Sequence, residues 1–389
     1  MSAARTKPRD RILAMLAMAT VIVAWFLGYS RHAADLLPYL ERALPEADRF
    51  ESLSGDTWAG WTVDSRLAGY VQIGAADGYG GPLQMAVALD TGGTVIGITI
   101  IDQVETPTFI GKVLREGYPQ ALLGRSVGDP LLLGQDVDGI SGATYTVSAM
   151  VENVRRTSRD IGESRLGLKV PAPHPRSLRF GWPEIMLIAM YLVGFLNLRY
   201  AWPGRAWLRW LSLLMGLVMI GFVLNQPLTL AFLNRLLLGF WPAWQEQLYW
   251  YLLVGGLLLF MLIDDRNVYC DSICPFGAAQ ECVGKIGGAR RETDARVATR
   301  LKWAHRVLVW LAVVTALVLR HPSISSYEVF GALFDFTGSR VLFVLLGLVL
   351  LTSLVYRRPW CRYLCPITAF ADLIRFLRSW GRDQWRRAR

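Results

Sequence analysis

A chain of 389 residues that is 53% hydrophobic, with mean hydropathy +0.32, is too apolar for an ordinary soluble protein of two or three domains. Its formal charge of +10 does not point to nucleic acid, because the arginines cluster beside apolar runs and no nucleic-acid motif interrupts the chain. The charge reads instead as membrane topology, and the five cysteines, at 270, 274, 282, 361 and 365, exclude a disulfide framework from everything before them.

After Arg5, Lys7, Arg9 and Arg11 comes an unbroken apolar run, 12–29, that suits a signal peptide or an uncleaved anchor. Arg31 and His32 occupy the zone where small residues would mark cleavage, so residues 1–30 are read as an anchor. From there to about residue 179 the chain turns polar and mixed, a soluble domain of ordinary size spanning 31–179. Residues 69–75, 83–90 and 94–102 read as strands, the last two joined by Thr91-Gly92-Gly93. Asp77-Gly78-Tyr79-Gly80-Gly81-Pro82 is a glycine-rich connection, a pattern that more often marks a turn than a phosphate cradle. Asp138-Gly139-Ile140-Ser141-Gly142-Ala143-Thr144 then runs straight into a helical pattern at 147–157. Gly139 and Gly142 remove side-chain bulk on both sides of Ser141. Thr144 falls at a helix start, where unpaired N–H groups and the positive end of the dipole favour a phosphate. A plain helix-capping loop has the same composition, so the turn gains weight only from its surroundings.

Pro171, Pro173, Pro175 and Pro183 mark a linker, followed by apolar runs at about 184–198, 207–224, 248–263, 304–319 and 340–356. With the anchor these make six transmembrane helices, five of them in a domain covering 180–389. Segments 1–11, 199–209, 264–302 and 357–389 hold 4, 3, 7 and 9 Lys plus Arg, whereas 228–247 and 320–339 hold one each. That asymmetry predicts cytoplasmic termini and a soluble domain on the outer side. The four histidines, at 32, 174, 305 and 321, form no pair facing each other across the membrane, which argues against bis-histidine haem.

Cys270-Asp271-Ser272-Ile273-Cys274-Pro275 and Cys361-Arg362-Tyr363-Leu364-Cys365-Pro366 form an internal repeat, each copy following an apolar run. Residues four apart on a helix share one face, so each pair is expected to aim two sulfurs in one direction at the cytoplasmic membrane face. Four thiolates suit a tetrahedral metal or an iron–sulfur cluster. The plainer alternative is buried cysteines packing as small hydrophobes. Cys282 has no repeat partner and is read as structural.

The string Asp-x-x-Ser-Gly-Ala-Thr ending at Thr144 resembles the signature of FMN-binding domains of the RnfG/NqrC/NosR type. In that family a flavin transferase joins FMN through its phosphate to the final threonine. The order Gly-Tyr-Gly-Gly-Pro, hairpin, Glu105-Thr106-Pro107 is similar to the family's landmarks, although Thr108, Phe109 and Ile110 stand where a more glycine-rich run is expected. The resemblance implies covalent FMN on Thr144, with Asp138, Ser141, Gly142, Ala143, Gly80, Gly81, Glu105 and Thr106 around it. With the doubled CxxxCP motif, nearly the whole chain resembles the NosR/NirI membrane flavoproteins, whose fold would be a periplasmic α+β FMN-binding domain inserted after the first of six transmembrane α-helices. Fuller members continue into a ferredoxin-like domain, whereas this sequence runs to Trp385-Arg386-Arg387-Ala388-Arg389; were that the whole protein, electron entry through such a domain would be expected to be absent and the link to nitrous oxide weaker.

The expected role is an electron carrier of the bacterial inner membrane more than a substrate-converting enzyme. Electrons would pass from the quinol pool or a cytoplasmic donor to a periplasmic reductase or redox carrier, in relatives the nitrous-oxide system of denitrification. The rival is a redox-sensing regulator or assembly factor. Cys270, Cys274, Cys361 and Cys365 are the expected ligands of the metal or iron–sulfur centre. The reading leaves FMN and that centre separated by a hydrocarbon core roughly 30 Å thick.

Overall fold

The computed structural model describes residues 8–30, 35–105, 107–140, 142–172, 178, 180–264, 266–291, 293–324 and 326–388. Helix α1 (Pro8–Ser30) leads to a short α2 (Leu37–Ala43) and then to β1 (Arg49–Ser52), β2 (Thr57–Trp61), β3 (Leu67–Asp77), β4 (Pro82–Leu89) and β5 (Val95–Gln103). The strands form one antiparallel meander in sequence order. The three strands expected from alternation are β3, β4 and β5; β1 and β2 are additional.

The sheet has a helix on each face. Because successive side chains of a strand point to opposite faces, β4 sends Leu83, Met85, Val87 and Leu89 to one core and Ala86 and Ala88 to the other. The large residues meet Val147, Met150, Val154 and Ile161 of α5 (Thr144–Ser164), after the short α3 (Pro107–Arg115) and α4 (Tyr118–Ala121). The alanines leave room for Leu40, Ala43 and Leu44 at α2. Asn153 fixes how α5 lies on the sheet: its Nδ2 donates to the carbonyls of Gly74 (2.9 Å) and Leu83 (3.0 Å), and its Oδ1 accepts from Thr157 (3.1 Å).

The second half is helical. It comprises α6 (Trp182–Arg199), α7 (Arg205–Met215) continuing as a π-helical stretch Gly216–Val223, α8 (Leu230–Leu238) and α9 (Leu248–Asp264). A π-helical turn Tyr269–Ile273 precedes α10 (Pro275–Gly287), α11 (Ala295–Val318), α12 (Phe330–Phe334), α13 (Arg340–Ser353), α14 (Pro359–Tyr363) and α15 (Pro366–Ala388). Among the described residues, three segments are long and apolar enough to cross a membrane: Arg11–Ser30, Arg205–Val223 and Ala295–Val318. Leu248–Ile263 and Arg340–Ser353 are apolar but shorter, and α6, which begins near Glu184, closes on Asn197 and Arg199. The chain is a membrane protein. One apolar cluster, including Leu187, Ile220, Leu253, Phe276, Phe330, Leu346 and Trp360, joins α6, the π-helical stretch, α8, α9, α10 and α12 to α15, while α1 packs through Ala24 against Leu317 of α11.

Candidate flavin site and cysteine cluster

The turn before α5 has the geometry of an open attachment point. Thr144 is the first residue of the helix and is exposed, and Ala143 at the N-cap supplies no side-chain hydrogen bond to the first-turn N–H groups. Those donors and the helix dipole are left for an anion. Gly142 has φ +78°, in the left-handed region that favours glycine. A Cβ there would stand 3.4 Å from Asp335 Oδ1 and 3.9 Å from Lys112 Nζ, so a cation on α3 lies close to the turn. Asp138 is exposed, and its carbonyl accepts from Tyr118 Oη at 2.6 Å. Burial, with the Asp138 charge second, pushes the Tyr118 phenol up to about 12. Ser141 and Thr106 lie outside the described residues.

Glu105 ties the glycine-rich connection to the same helix. It is fully buried; Oε1 accepts from Gly80 N–H (3.2 Å) and Oε2 from Thr146 Oγ1 (2.8 Å). Burial raises its carboxyl pKa above the ordinary range, while the Thr146 and Gly80 bonds and the Arg235 charge pull it back. Gly80 admits no side chain, since a Cβ would fall 2.2 Å from the Val104 carbonyl oxygen. Gly81 has φ +151° and passes close to Phe240. Arg235 of α8, a position the sequence reading passed over, donates through Nη1 to the carbonyls of Gly78 (3.1 Å) and Tyr79 (2.7 Å) and through Nε to that of Phe240 (2.8 Å). The signal was present: Arg235 is the single basic residue of 228–247. The Tyr79 ring meets Phe109 (5.2 Å) and Phe232 (5.5 Å) edge-on, which seats the sheet domain directly on the helices. Thr146 and Lys112 were likewise missed; Thr146 lies one residue beyond Tyr145 in the same first turn.

The cysteine pairs do not share helix faces as i, i+4 spacing suggests. Cys270 lies in the π-helical turn, and Cys274 is the non-helical N-cap of α10 (φ −57°, ψ 119°) with Pro275 opening the helix. Cys361 is in α14, and Cys365 stands just before Pro366 at the start of α15. Proline disfavours helical geometry in the residue before it and suits the first helical position, so each Cys-Pro breaks one helix and starts another. The repeat is thus structural as well as sequential. A Cβ on Gly216, midway along the 205–223 segment, would fall 2.1 Å from the Ile273 carbonyl, and His305, well inside α11, donates from Nε2 to the Cys365 carbonyl at 2.9 Å.

The four sulfurs gather in one place. Cys270 is within electrostatic range of Cys365, Cys274 and Cys361, and Cys365 of Cys361 and Cys274. Cys282 interacts instead with Glu281 and Lys285. Two N–H groups point at sulfur: Gly277 N–H at Cys274 (3.4 Å) and Gln280 Nε2 at Cys361 (3.3 Å). Gln280 Oε1 also accepts from Trp360 N–H (3.0 Å). Arg358 donates to the Cys270 carbonyl (2.7 Å) and pairs with Glu281, which a bidentate Arg209 also holds at 2.8 and 2.9 Å. Among the described residues, no three His, Cys, Asp or Glu side chains converge closely enough for one metal ion. An iron–sulfur cluster spreads its thiolates over separate irons and takes N–H bonds to sulfur, so this donor set fits a cluster better than a single ion.

A sheet domain with an anion-ready threonine, seated on helices that gather four thiols, defines a membrane flavoprotein with an iron–sulfur domain. Comparison with known families agrees on both parts: residues 78–158 match the FMN-binding domain, and residues 247–293 and 337–386 match a 4Fe-4S binding domain. The chain is similar to Protein NirI of Paracoccus denitrificans, at 31% identity over 171 residues, 39% of this chain and 24% of that protein. It is also similar to the G component of the ion-translocating oxidoreductase complex of Cereibacter sphaeroides, at 30% identity over 168 residues, 37% of this chain and 75% of the relative. The methylamine utilization ferredoxin-type protein MauN of Paracoccus denitrificans is 28% identical over 146 residues, 34% of this chain and 47% of that one. The chain belongs with the G component of the ion-translocating complex in the FMN-binding family, and the 4Fe-4S binding domain that follows, with the likeness to NirI, supports a NosR/NirI-type flavoprotein. The match spans about a quarter of NirI's length.

Proposed function

We propose that this protein carries electrons between an iron–sulfur cluster held by Cys270, Cys274, Cys361 and Cys365 and FMN esterified to Thr144. When bound, the two groups supply one-electron and flavin redox chemistry. The chain's own residues do the positioning. Thr144 offers an exposed hydroxyl at an uncapped helix start, Asp335 and Lys112 both stand beside the Gly142 turn that precedes it, and Glu105 pins the glycine-rich connection against α5. The observation that carries the reading is the seating of Tyr79 on the apolar cluster that also contains Cys274 and Cys365, so both sites belong to one packed body.

In this reading the domains are 1–30, 31–179 and 180–389, and α1, α6, α7, α9, α11 and α13 are the six spans. Both termini lie in the cytoplasm and the FMN domain in the periplasm, where a separate flavin transferase modifies Thr144. The donor is the quinol pool or a cytoplasmic carrier, and the acceptor is a periplasmic reductase or carrier, with nitrous-oxide respiration the first to examine given the likeness to NirI.

The test is Thr144→Ala in the full chain, expressed with an active flavin transferase. Flavin fluorescence that survives a denaturing gel should vanish while the protein still inserts, and mass spectrometry should place FMN in the wild-type peptide 138–155. Flavin found on Ser141, or fluorescence retained in Thr144→Ala, refutes the assignment. A reporter active only outside the cytoplasm should work when fused near Val170 and fail after Arg389.

A further inference from the structure

Near the start of the 205–223 segment a cavity of about 210 Å³ opens between α7, α10 and the turn that leads into α14. At roughly 30 Å³ for each liquid water, that is room for about seven waters. Its walls carry Trp210, Gln280, Glu281, Lys285 and Arg357. Lys285 Nζ sits 4.9 Å over the Trp210 ring, a contact that holds the ammonium in place without neutralising it. Glu281 is already taken: Oε1 accepts from Arg209 Nη2 at 2.8 Å and pairs with Arg358 Nε at 2.9 Å, while Oε2 accepts from Arg209 Nη1 at 2.9 Å. Arg357 stands outside that set at 3.7 Å, with its side chain 67% exposed. Arg209, Lys285, Arg357 and Arg358 therefore face only two carboxylates, Glu281 and the Asp271 that Arg209 Nε meets, so four cations against two anions leave two positive charges in excess around one cavity.

We propose that this cavity binds the phosphate headgroup of an anionic membrane phospholipid, with Lys285 and Arg357 as its charge partners. Depth favours a lipid. Trp210 lies within the first two turns of the 205–223 segment, and Trp207 one turn before it is exposed, as tryptophans at a membrane–water interface are. Lipid phosphates stand at that level, and basic pockets between membrane helices on the cytoplasmic side hold anionic headgroups. In the topology proposed above this end of α7 is the cytoplasmic one. The chemistry matches. A phosphodiester carries one negative charge and open oxygens, which a guanidinium meets with paired N–H groups and an ammonium meets as a point charge. The acyl chains then follow α7 past Leu214, which is four residues beyond Trp210 on the same face and is exposed. A headgroup held here stands one side chain from the cysteines, because Gln280 lines the cavity and donates to Cys361 Sγ at 3.3 Å. The binding itself is independent of the proposed cluster, since neither Lys285 nor Arg357 touches a sulfur.

The experiment takes the full-length protein in phosphatidylcholine bilayers that contain a minor fraction of phosphatidylglycerol, and counts the phosphatidylglycerol retained after mild detergent extraction by native mass spectrometry as that fraction is varied. Wild type should hold one molecule saturably. At about fivefold for each cation near the membrane surface, Lys285→Gln and Arg357→Gln should each weaken binding about fivefold, and the two together about 25-fold. Arg300→Gln with Lys302→Gln removes the same charge from exposed positions of α11 and should bind as wild type does. Should the Lys285 and Arg357 double variant fail to fold, the single variants, both at exposed residues, still decide the matter. Equal loss in the two double variants would mean diffuse attraction of lipid to a basic face, and no loss in either cavity variant would mean that the cavity holds no lipid; each overturns the site. A second arm adds inorganic phosphate to the protein in phosphatidylcholine alone. A rise in Tm equal to that given by phosphatidylglycerol, and lost in Lys285→Gln, would reassign the cavity to free phosphate and overturn the lipid, whereas an unchanged Tm supports the lipid as the source.

Discussion

Replacing Glu105 by glutamine should change how stability depends on pH, and the sign follows from its surroundings. Burial is the leading influence on this carboxyl and raises its pKa above 4.5, outweighing the Thr146 and Gly80 bonds and the Arg235 charge. The folded protein therefore keeps a proton that the unfolded chain releases from about pH 4.5 upward. Wherever the folded state binds more protons, stability falls as pH rises, by at most about 1.4 kcal/mol per pH unit for one group. The loss begins near pH 4.5 and stops above the raised folded pKa, where both states are ionised. A domain of about 150 residues shifts its Tm by roughly 3 °C per kcal/mol, so the steepest part should approach about 4 °C per pH unit. Glu105→Gln cannot ionise, so this slope should disappear. The amide cannot accept from both Gly80 and Thr146 as the carboxylate does, which should also lower stability overall, by about 1–3 kcal/mol. Thermal unfolding in detergent, followed by tryptophan emission between pH 4.5 and 8, measures both effects. Parallel Tm profiles for wild type and Glu105→Gln across that range would show that Glu105 is ionised throughout and refute the argument.

Substituting serine at Cys270, Cys274, Cys361 or Cys365 should abolish iron content and visible cluster absorption to a similar degree at each position, whereas Cys282→Ser should retain both; four mild, independent losses would leave only a packing role. Gln280→Leu removes the N–H bond to Cys361 Sγ, so the cluster should assemble but titrate at a lower potential, since hydrogen bonds to sulfur set cluster potentials; an unchanged potential in a redox titration would dismiss that bond. Asn153→Ala leaves the Gly74 and Leu83 carbonyls without their side-chain donor and should destabilise the FMN domain by about 2–4 kcal/mol, read as a lower Tm with gel fluorescence retained.

Local patterns were legible and long-range contacts were not. Strands β3 to β5 announce themselves because their side chains alternate between two buried faces, whereas β1 exposes Arg49, Glu51 and Ser52 and carries no such signal. The apolar runs reappear within α1, α6, α7 with its π-helical continuation, α9, α11 and α13, although α11 begins at Ala295, well before the run read from residue 304. The helix start at Thr144 followed from its glycine-punctuated turn. The cysteine geometry was misread although its cue stands in the sequence: a proline after the second cysteine of each pair forces that residue out of the helix. Arg235 reaching Gly78 and His305 reaching Cys365 join positions 157 and 60 residues apart, and no periodicity reports such meetings.

The distance between the two proposed centres decides whether they can share one circuit. With the cysteines at one membrane face and the flavin on the other, a full hydrocarbon core, roughly 30 Å, would separate them. The Cys-Pro breaks set Ile273 beside Gly216 of the 205–223 segment and Cys365 beside His305, which stands between Lys302 and Arg306 in α11. Tyr79 of the sheet domain touches Phe232, Phe232 stacks on Trp250 at 6.4 Å, and both belong to the apolar cluster that reaches Cys274 and Cys365. An electron passing between the proposed centres would therefore meet packed aromatic side chains along its path and not hydrocarbon alone.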